Sequence, residues 1–156
     1  MSENGHVIYT ARAQVTGGRA EGHARTSDGA LEVVLRIPKE MGGSGGGTNP
    51  EQLFAIGYAA CFESALGVVS RRRKQEAGDV AIDSKVMLRP TDDGAFRLAV
   101  ALAVTFPSVT DMAVAEDLVR GAHKVCPYSN ATRGNIDVSL SVNGREIEAS
   151  SEPMAA

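Results

Sequence analysis

The chain has 156 residues, 43% of them apolar, enough for one domain that buries roughly two thirds of its unfolded surface without disulfide or metal staples. Its 16 basic against 19 acidic residues give a formal charge of −3, which excludes the electropositive field of a nucleic-acid binder, and SRRRK at 70–74 is too short to change that. The start MSENGHVIYT has neither the basic region nor the apolar core of a secretory signal, so a cytoplasmic protein is expected, without a lasting structural disulfide between its two cysteines.

In chain order, residues 7–15, 19–26 and 30–37 are strand-length stretches separated by Gly17-Gly18 and Ser27-Asp28-Gly29, the punctuation of an antiparallel meander. Pro38 ends it, and the glycine-rich connector 42–47 follows; no Gly-Lys-Ser/Thr comes after it, so it is not a phosphate loop. Thr48 or Asn49 caps a helix whose first turn tolerates Pro50, and which runs to about Lys74, with the arginines of SRRRK complementing its dipole. Its longest apolar run, 53–69, is 17 residues with Glu63 inside it, short of the roughly 20 that a membrane span needs. Apolar residues occur on all its sides, which predicts burial all round, in a helix wrapped by sheet or paired with another subunit; Gly57, Ala59 and Ala60 permit close approach.

Residues 80–88 and 96–106 read as a hairpin about the turn 90–94, the second strand nearly continuous in apolar residues and so well buried. A second helix is expected over 111–125, with Thr110 as its cap and Pro127 near its end. A strand over 136–142, the Asn143-Gly144 turn and a short return complete the sheet. The order strands, helix, strands, helix, strands predicts an α+β fold with helices against antiparallel sheet, a single domain over 1–156 with loose tails at 1–5 and 150–156.

The chemistry-bearing residues are the cysteines. Cys61 sits about three turns into an apolar helix, where desolvation raises a thiol pKa; by itself it reads as a small core residue, and a reactive thiol there needs a cation. Cys126 stands at the end of the second helix and could face either core or pocket, but two thiols in two distinct contexts suit a redox pair. Glu51 has capping-box spacing from Thr48 and could serve the helix start alone. Tyr128, Ser129 and Asn130 are read as helix-terminating residues without a catalytic role. His6, His23 and His123 are scattered, no Cys-x-x-Cys is present and no nucleophile-elbow serine occurs, so neither a metal nor a serine hydrolase is expected.

The words around the thiols carry a resemblance. Gly17-Gly18-Arg19, then TNPEQLFAIGYAACF at 48–62, then AHKVCPYSNATRGN at 122–135 occur in the order found in the organic hydroperoxide resistance proteins, the thiol peroxidase branch of the OsmC/Ohr family, and the chain resembles that family over nearly its whole length. The resemblance implies antiparallel sheets around two long central helices in an intertwined homodimer. It implies Cys61 as the thiolate that attacks the peroxide, Cys126 as the resolving cysteine, Arg19 as the cation stabilising the thiolate, and Glu51 as the carboxylate holding Arg19. It further implies lipophilic alkyl and fatty-acid hydroperoxides as substrates, and a dihydrolipoyl-type dithiol, dihydrolipoamide or a lipoylated protein, as reductant, with no bound cofactor. For the disulfide to form, the two Cα atoms must come within about 7 Å.

Ten residues at about 1.5 Å each separate Glu51 from Cys61 along one helix, so Arg19 and Glu51 are expected to reach Cys61 across the dimer interface. Leu53, Phe54 and Phe62 are candidate pocket walls. Two other readings compete: a broader OsmC-type peroxidase that also uses hydrogen peroxide, and a non-catalytic dimeric binding protein whose thiols are both buried.

Overall fold

The computed structural model describes residues 5–149, so the expected tails lie, apart from Gly5, outside the described residues. The chain forms two compact units that divide after Pro50.

The amino-terminal unit is a three-stranded antiparallel sheet, β1 (Ala13–Thr16), β2 (Gly22–Thr26) and β3 (Glu32–Leu35), in the order β1-β2-β3. The meander is as expected, with two differences. Residues 7–12 form no strand: β1 pairs only from Ala13, opposite Thr26, where β2 ends, and Val7, Ile8 and Tyr9 are left exposed. Arg19 does not start a strand but lies in a helical turn, α1 (Gly18–Glu21). Gly17 and Gly18 both have left-handed backbone, and a Cβ on Gly17 would lie 2.5 Å from the Glu21 carbonyl oxygen, so the glycine pair is what permits this turn before β2.

The carboxy-terminal unit opens with α2 (Pro50–Arg73) and continues through β4 (Ala81–Pro90), β5 (Phe96–Thr105), α3 (Met112–Val125), α4 (Pro127–Thr132), β6 (Asp137–Val142) and β7 (Arg145–Ile147). The sheet order is β4-β5-β6-β7. β4 with β5 and β6 with β7 are antiparallel, but β5 with β6 is parallel, in register from Ala99 opposite Asp137. That departure from an all-antiparallel sheet follows from the connection, since α3 and α4 carry the chain back across the sheet before β6 begins. Asn143 and Gly144, both at positive φ, make the final turn, and the Asn143 side-chain oxygen accepts from the Phe106 N–H at 2.8 Å.

α3 is capped by Asp111, not Thr110: the Asp111 carboxylate accepts from the Ala113 N–H at 2.9 Å, reaching an orphan donor that only a side chain at that position meets. β5 is well buried as expected, through Ala99, Val100, Leu102 and Val104. The core joins these to Tyr58, Phe62, Leu66 and Val69 of α2 and to Leu118, Val119 and Ala122 of α3.

One feature of α2 bears on function. Its buried residues form one stripe at helical spacing, and the opposite side carries Gln52, Ile56, Ala60, Glu63 and Ser64 exposed, with Ile56 68% open. Within this chain it is therefore not buried all round. Its 24 residues meet the length and composition of a membrane span, but the stripe seats it in the same core as the sheet.

Candidate active site

α2 places Cys61 one turn beyond Tyr58 and two turns beyond Phe54 (i, i+3 and i, i+7), on one face. Cys126 is placed by a different device. Pro127 disfavours helical backbone in the residue before it and itself fits the first position of a new helix. Accordingly α3 ends at Val125, Cys126 is extended (φ −63°, ψ 123°), and α4 starts at Pro127. This elbow turns Cys126 into the core, fully buried, against the partly exposed Cys61.

Both cysteines are free, and their thiols lie within hydrogen-bonding reach of each other. Burial pushes the Cys61 thiol above the usual range; the Tyr128 backbone N–H, which donates to its sulfur, pulls the other way, and Cys126 pushes it up again by its hydrogen bond and its charge. Burial wins, so these neighbours alone leave Cys61 a protonated thiol at neutral pH. Cys61 is not fully buried, unlike the thiols of the binding-protein reading.

Beside the pair lies an aromatic wall. Phe54 meets Tyr58 edge-on at 6.1 Å, and Tyr128 lies 5.9 Å from Phe54 and 5.6 Å from Tyr58. Gly57 makes room for it, since a Cβ there would stand 2.9 Å from the Tyr128 hydroxyl oxygen. Phe54 and Tyr128 form one side of a groove of about 630 Å³ whose other walls include Phe96, Leu98 and Ile136, with Arg97 as its charged lining residue. Of the candidate walls, Phe54 lines this groove, whereas Phe62 is core and Leu53 is not among the lining residues.

Beneath the wall is a buried polar cluster that the sequence reading passed over. The Tyr58 hydroxyl lies 3.0 Å from Ser129 Oγ and 3.2 Å from Thr132 Oγ1, and Ser129 Oγ lies 2.9 Å from His123 Nδ1. Only the density of polar residues in CPYSNATRGN hinted at it. Burial, with the Arg133 guanidinium nearby, lowers His123 to about 4.

That shift carries a prediction. The unfolded chain takes up the histidine proton near 6.5 and the folded chain only near 4, so the folded state holds full stability above pH 6.5 and loses it as pH falls toward 4. The loss is about 3 kcal/mol at about 1.4 kcal/mol per unit. Urea unfolding at pH 7 and pH 4 should show the His123→Gln protein losing less than the wild type by that amount; parallel losses would contradict it.

Of the remaining expected site residues, Arg19 belongs to α1 of the amino-terminal unit and Glu51 to the first turn of α2. Glu63 is exposed.

The family profile described as OsmC-like protein matches residues 43–141. The organic hydroperoxide resistance protein of Xanthomonas axonopodis pv. citri is 51% identical over 144 residues, 91% of this chain and 99% of that protein. The chain belongs to the OsmC-like family. Two solved family members extend the likeness to structure. A Legionella pneumophila organic hydroperoxide resistance protein superposes with a TM-score of 0.84 at 51% identity, covering 88% of this chain and 98% of that one. The OhrB protein of Bacillus subtilis gives 0.79 at 42%, covering 87% and 99%. The α+β architecture described above is thus that of the OsmC-like family, and both thiol-bearing words fall within its matched residues.

Proposed function

We propose that this protein is a cysteine-based peroxidase that reduces organic hydroperoxides to alcohols. The observation that carries the reading is the juxtaposition of two free thiols from distant parts of the chain, one partly exposed and the other buried against it. The names of the family relatives support the same substrate class.

The Cys61 thiolate attacks the outer peroxide oxygen, the O–O bond breaks, and the alkoxide leaves and takes a proton to become the alcohol. Cys61 is then a sulfenic acid. Cys126 attacks its sulfur, the S–S bond forms as the S–O bond breaks, and the hydroxyl departs with the Cys126 proton as water. A dihydrolipoyl-type dithiol restores both thiols by two exchange steps and is itself oxidised to a disulfide. Because burial raises the Cys61 pKa, the first step requires a cation, and Arg19, held by Glu51, fills that role in this proposal. No bound cofactor is needed for this chemistry.

A second copy of the chain belongs to the proposal. Val7, Ile8 and Tyr9 are exposed apolar residues without a strand partner among the described residues, and α2 leaves Ile56 uncovered, so both suit burial in a homodimer. Arg19 and Glu51 then serve Cys61 across the interface. The cytoplasm, where thiols stay reduced, suits such an enzyme.

Stopped-flow mixing of reduced protein with cumene hydroperoxide and with hydrogen peroxide, followed by mass spectrometry, tests the reading. Fast reaction with the organic peroxide and a mapped Cys61–Cys126 bond are expected. Equal rates would favour the broader OsmC-type peroxidase, and no reaction would leave a binding protein.

The groove refines the substrate. Its apolar walls suit an alkyl chain, and Arg97 suits the carboxylate of a fatty-acid hydroperoxide. Arg97→Ala should raise KM for such a substrate about tenfold, the worth of a charge-assisted hydrogen bond, and leave KM for uncharged cumene hydroperoxide unchanged. Equal changes for both would remove Arg97 from substrate recognition.

A further inference from the structure

The buried cluster beneath the thiols has a direction, and proton counting reveals it. Thr132 Oγ1 lies 2.9 Å from the Tyr128 carbonyl oxygen, one turn back along α4. A carbonyl only accepts, so the single Thr132 proton goes there. Thr132 then has no proton for Tyr58, and the Tyr58 hydroxyl must donate to Thr132 at 3.2 Å. Tyr58 in turn has none left for Ser129, so Ser129 donates to Tyr58 at 3.0 Å, and His123 Nδ1 must carry the proton that it donates to Ser129 at 2.9 Å. Every other assignment leaves one of these contacts without a proton, at a site where Tyr58 and Ser129 are fully buried and an unmade hydrogen bond is costly.

This chain of donors ends on the residue that touches the reactive sulfur. The carbonyl of Tyr128 receives the last proton of the series, and its N–H donates to Cys61. The elbow between α3 and α4 is held a second time by Arg133, which donates to the His123 carbonyl and to the Asn130 side-chain oxygen. Cys126 lies inside that elbow, near enough to Tyr58 for its charge to affect the phenol. Burial, above all, keeps the Tyr58 phenol protonated and therefore a donor.

We propose that His123, Ser129, Tyr58 and Thr132 are positioning residues for the redox pair: a one-way hydrogen-bond relay from α3 to α4, across to α2 and back to α4, that holds the elbow so that Cys126 stays seated against Cys61. The step it governs is closure of the disulfide. Oxidation of Cys61 depends on the peroxide, the exposed side of the sulfur and the cation; of the four relay residues only Thr132 lines the groove, and its hydroxyl is turned to Tyr58 and the Tyr128 carbonyl. The relay rests on the peroxidase reading for its purpose but not for its geometry.

Isosteric variants test it. Tyr58→Phe and Thr132→Val each delete one hydroxyl and keep the shape, and Thr132→Ser keeps the hydroxyl. After one equivalent of cumene hydroperoxide, acid quenching and mass spectrometry separate sulfenic acid from disulfide. Closure should slow about five- to tenfold in Tyr58→Phe and Thr132→Val, with loss of Cys61 thiol changed less than about twofold in Tyr58→Phe, whose altered residue does not line the groove, and Thr132→Ser should keep closure near the wild-type rate, as a buried hydrogen bond of ordinary strength requires. Closure within about twofold of wild type in both deletions would overturn the proposal. Nitrogen NMR of the wild type supplies a readout independent of activity: His123 must be the neutral tautomer protonated at Nδ1, and protonation at Nε2 alone would also overturn it. If the wild type does not react with hydroperoxide, the peroxidase reading fails, while diamide-driven closure in the same variants and the tautomer still decide the relay.

Discussion

Replacing Cys61 with serine is expected to reduce hydroperoxide consumption to the uncatalysed background, whereas replacing Cys126 with serine should leave one rapid equivalent of consumption and no turnover thereafter. The asymmetry follows from where the thiols sit. Cys61 is partly exposed, and in the proposed mechanism its sulfur makes the first bond to peroxide oxygen; a serine hydroxyl is far less ionised and far less nucleophilic. Cys126 is buried, and in the proposed mechanism it enters only after the O–O bond has broken. The Cys126→Ser protein should therefore accumulate Cys61 sulfenic acid, and with excess peroxide the sulfinic and sulfonic forms, at mass increments of one, two and three oxygens. Full turnover of Cys126→Ser with a dithiol reductant would show that a resolving thiol in this chain is dispensable. Near-normal activity in Cys61→Ser would end the mechanism.

Arg19→Ala should slow oxidation of Cys61 by roughly 10²-fold at neutral pH, the scale on which a preorganised electrostatic donor acts. Burial raises the Cys61 pKa, and the Tyr128 N–H does not offset it, so without the guanidinium the thiolate forms only at higher pH. The sign is then fixed: the rate of Cys61 oxidation rises with pH as the thiolate forms, and that rise should move to higher pH in Arg19→Ala. A rate lowered equally at all pH values would mean that Arg19 acts on the leaving alkoxide and not on the thiolate. Mixing distinguishes the two geometries. If Arg19 serves the partner's Cys61, co-refolding inactive Arg19→Ala and Cys61→Ser chains should restore about a quarter of the wild-type sites, by random pairing into two-fold dimers. Absence of recovery would place Arg19 and Cys61 of one chain in one site.

Much of this was legible along the chain because the signals are local. Capping residues, Pro50 and Pro127 placed α2 and α3 to within a residue or two, and the β4–β5 hairpin and the Asn143-Gly144 turn needed no tertiary information. The misreadings came where a neighbour outside the local window decides. Residues 7–12 have the apolar content of a strand, but a strand needs a partner, and β2 ends opposite Ala13. Thr110 and Asp111 are both good capping residues, and only the backbone path at the helix start selects Asp111. The stripe on α2 was invisible because apolar residues occur on its uncovered side as well.

The sequence by itself determined the order of the strands and of the two long helices, though not the short α1 and α4, and marked Cys61 and Cys126, because hydrophobic runs, turn chemistry and the words around a cysteine are written within a few positions of one another. Only the tertiary structure decided that two thiols 65 residues apart meet, that β6 joins β5 in parallel, and that Tyr58, Ser129, Thr132 and His123 share protons. Those contacts depend on how α2, α3 and α4 pack on the sheet, and packing is a property of all the surfaces that meet there rather than of any stretch of chain.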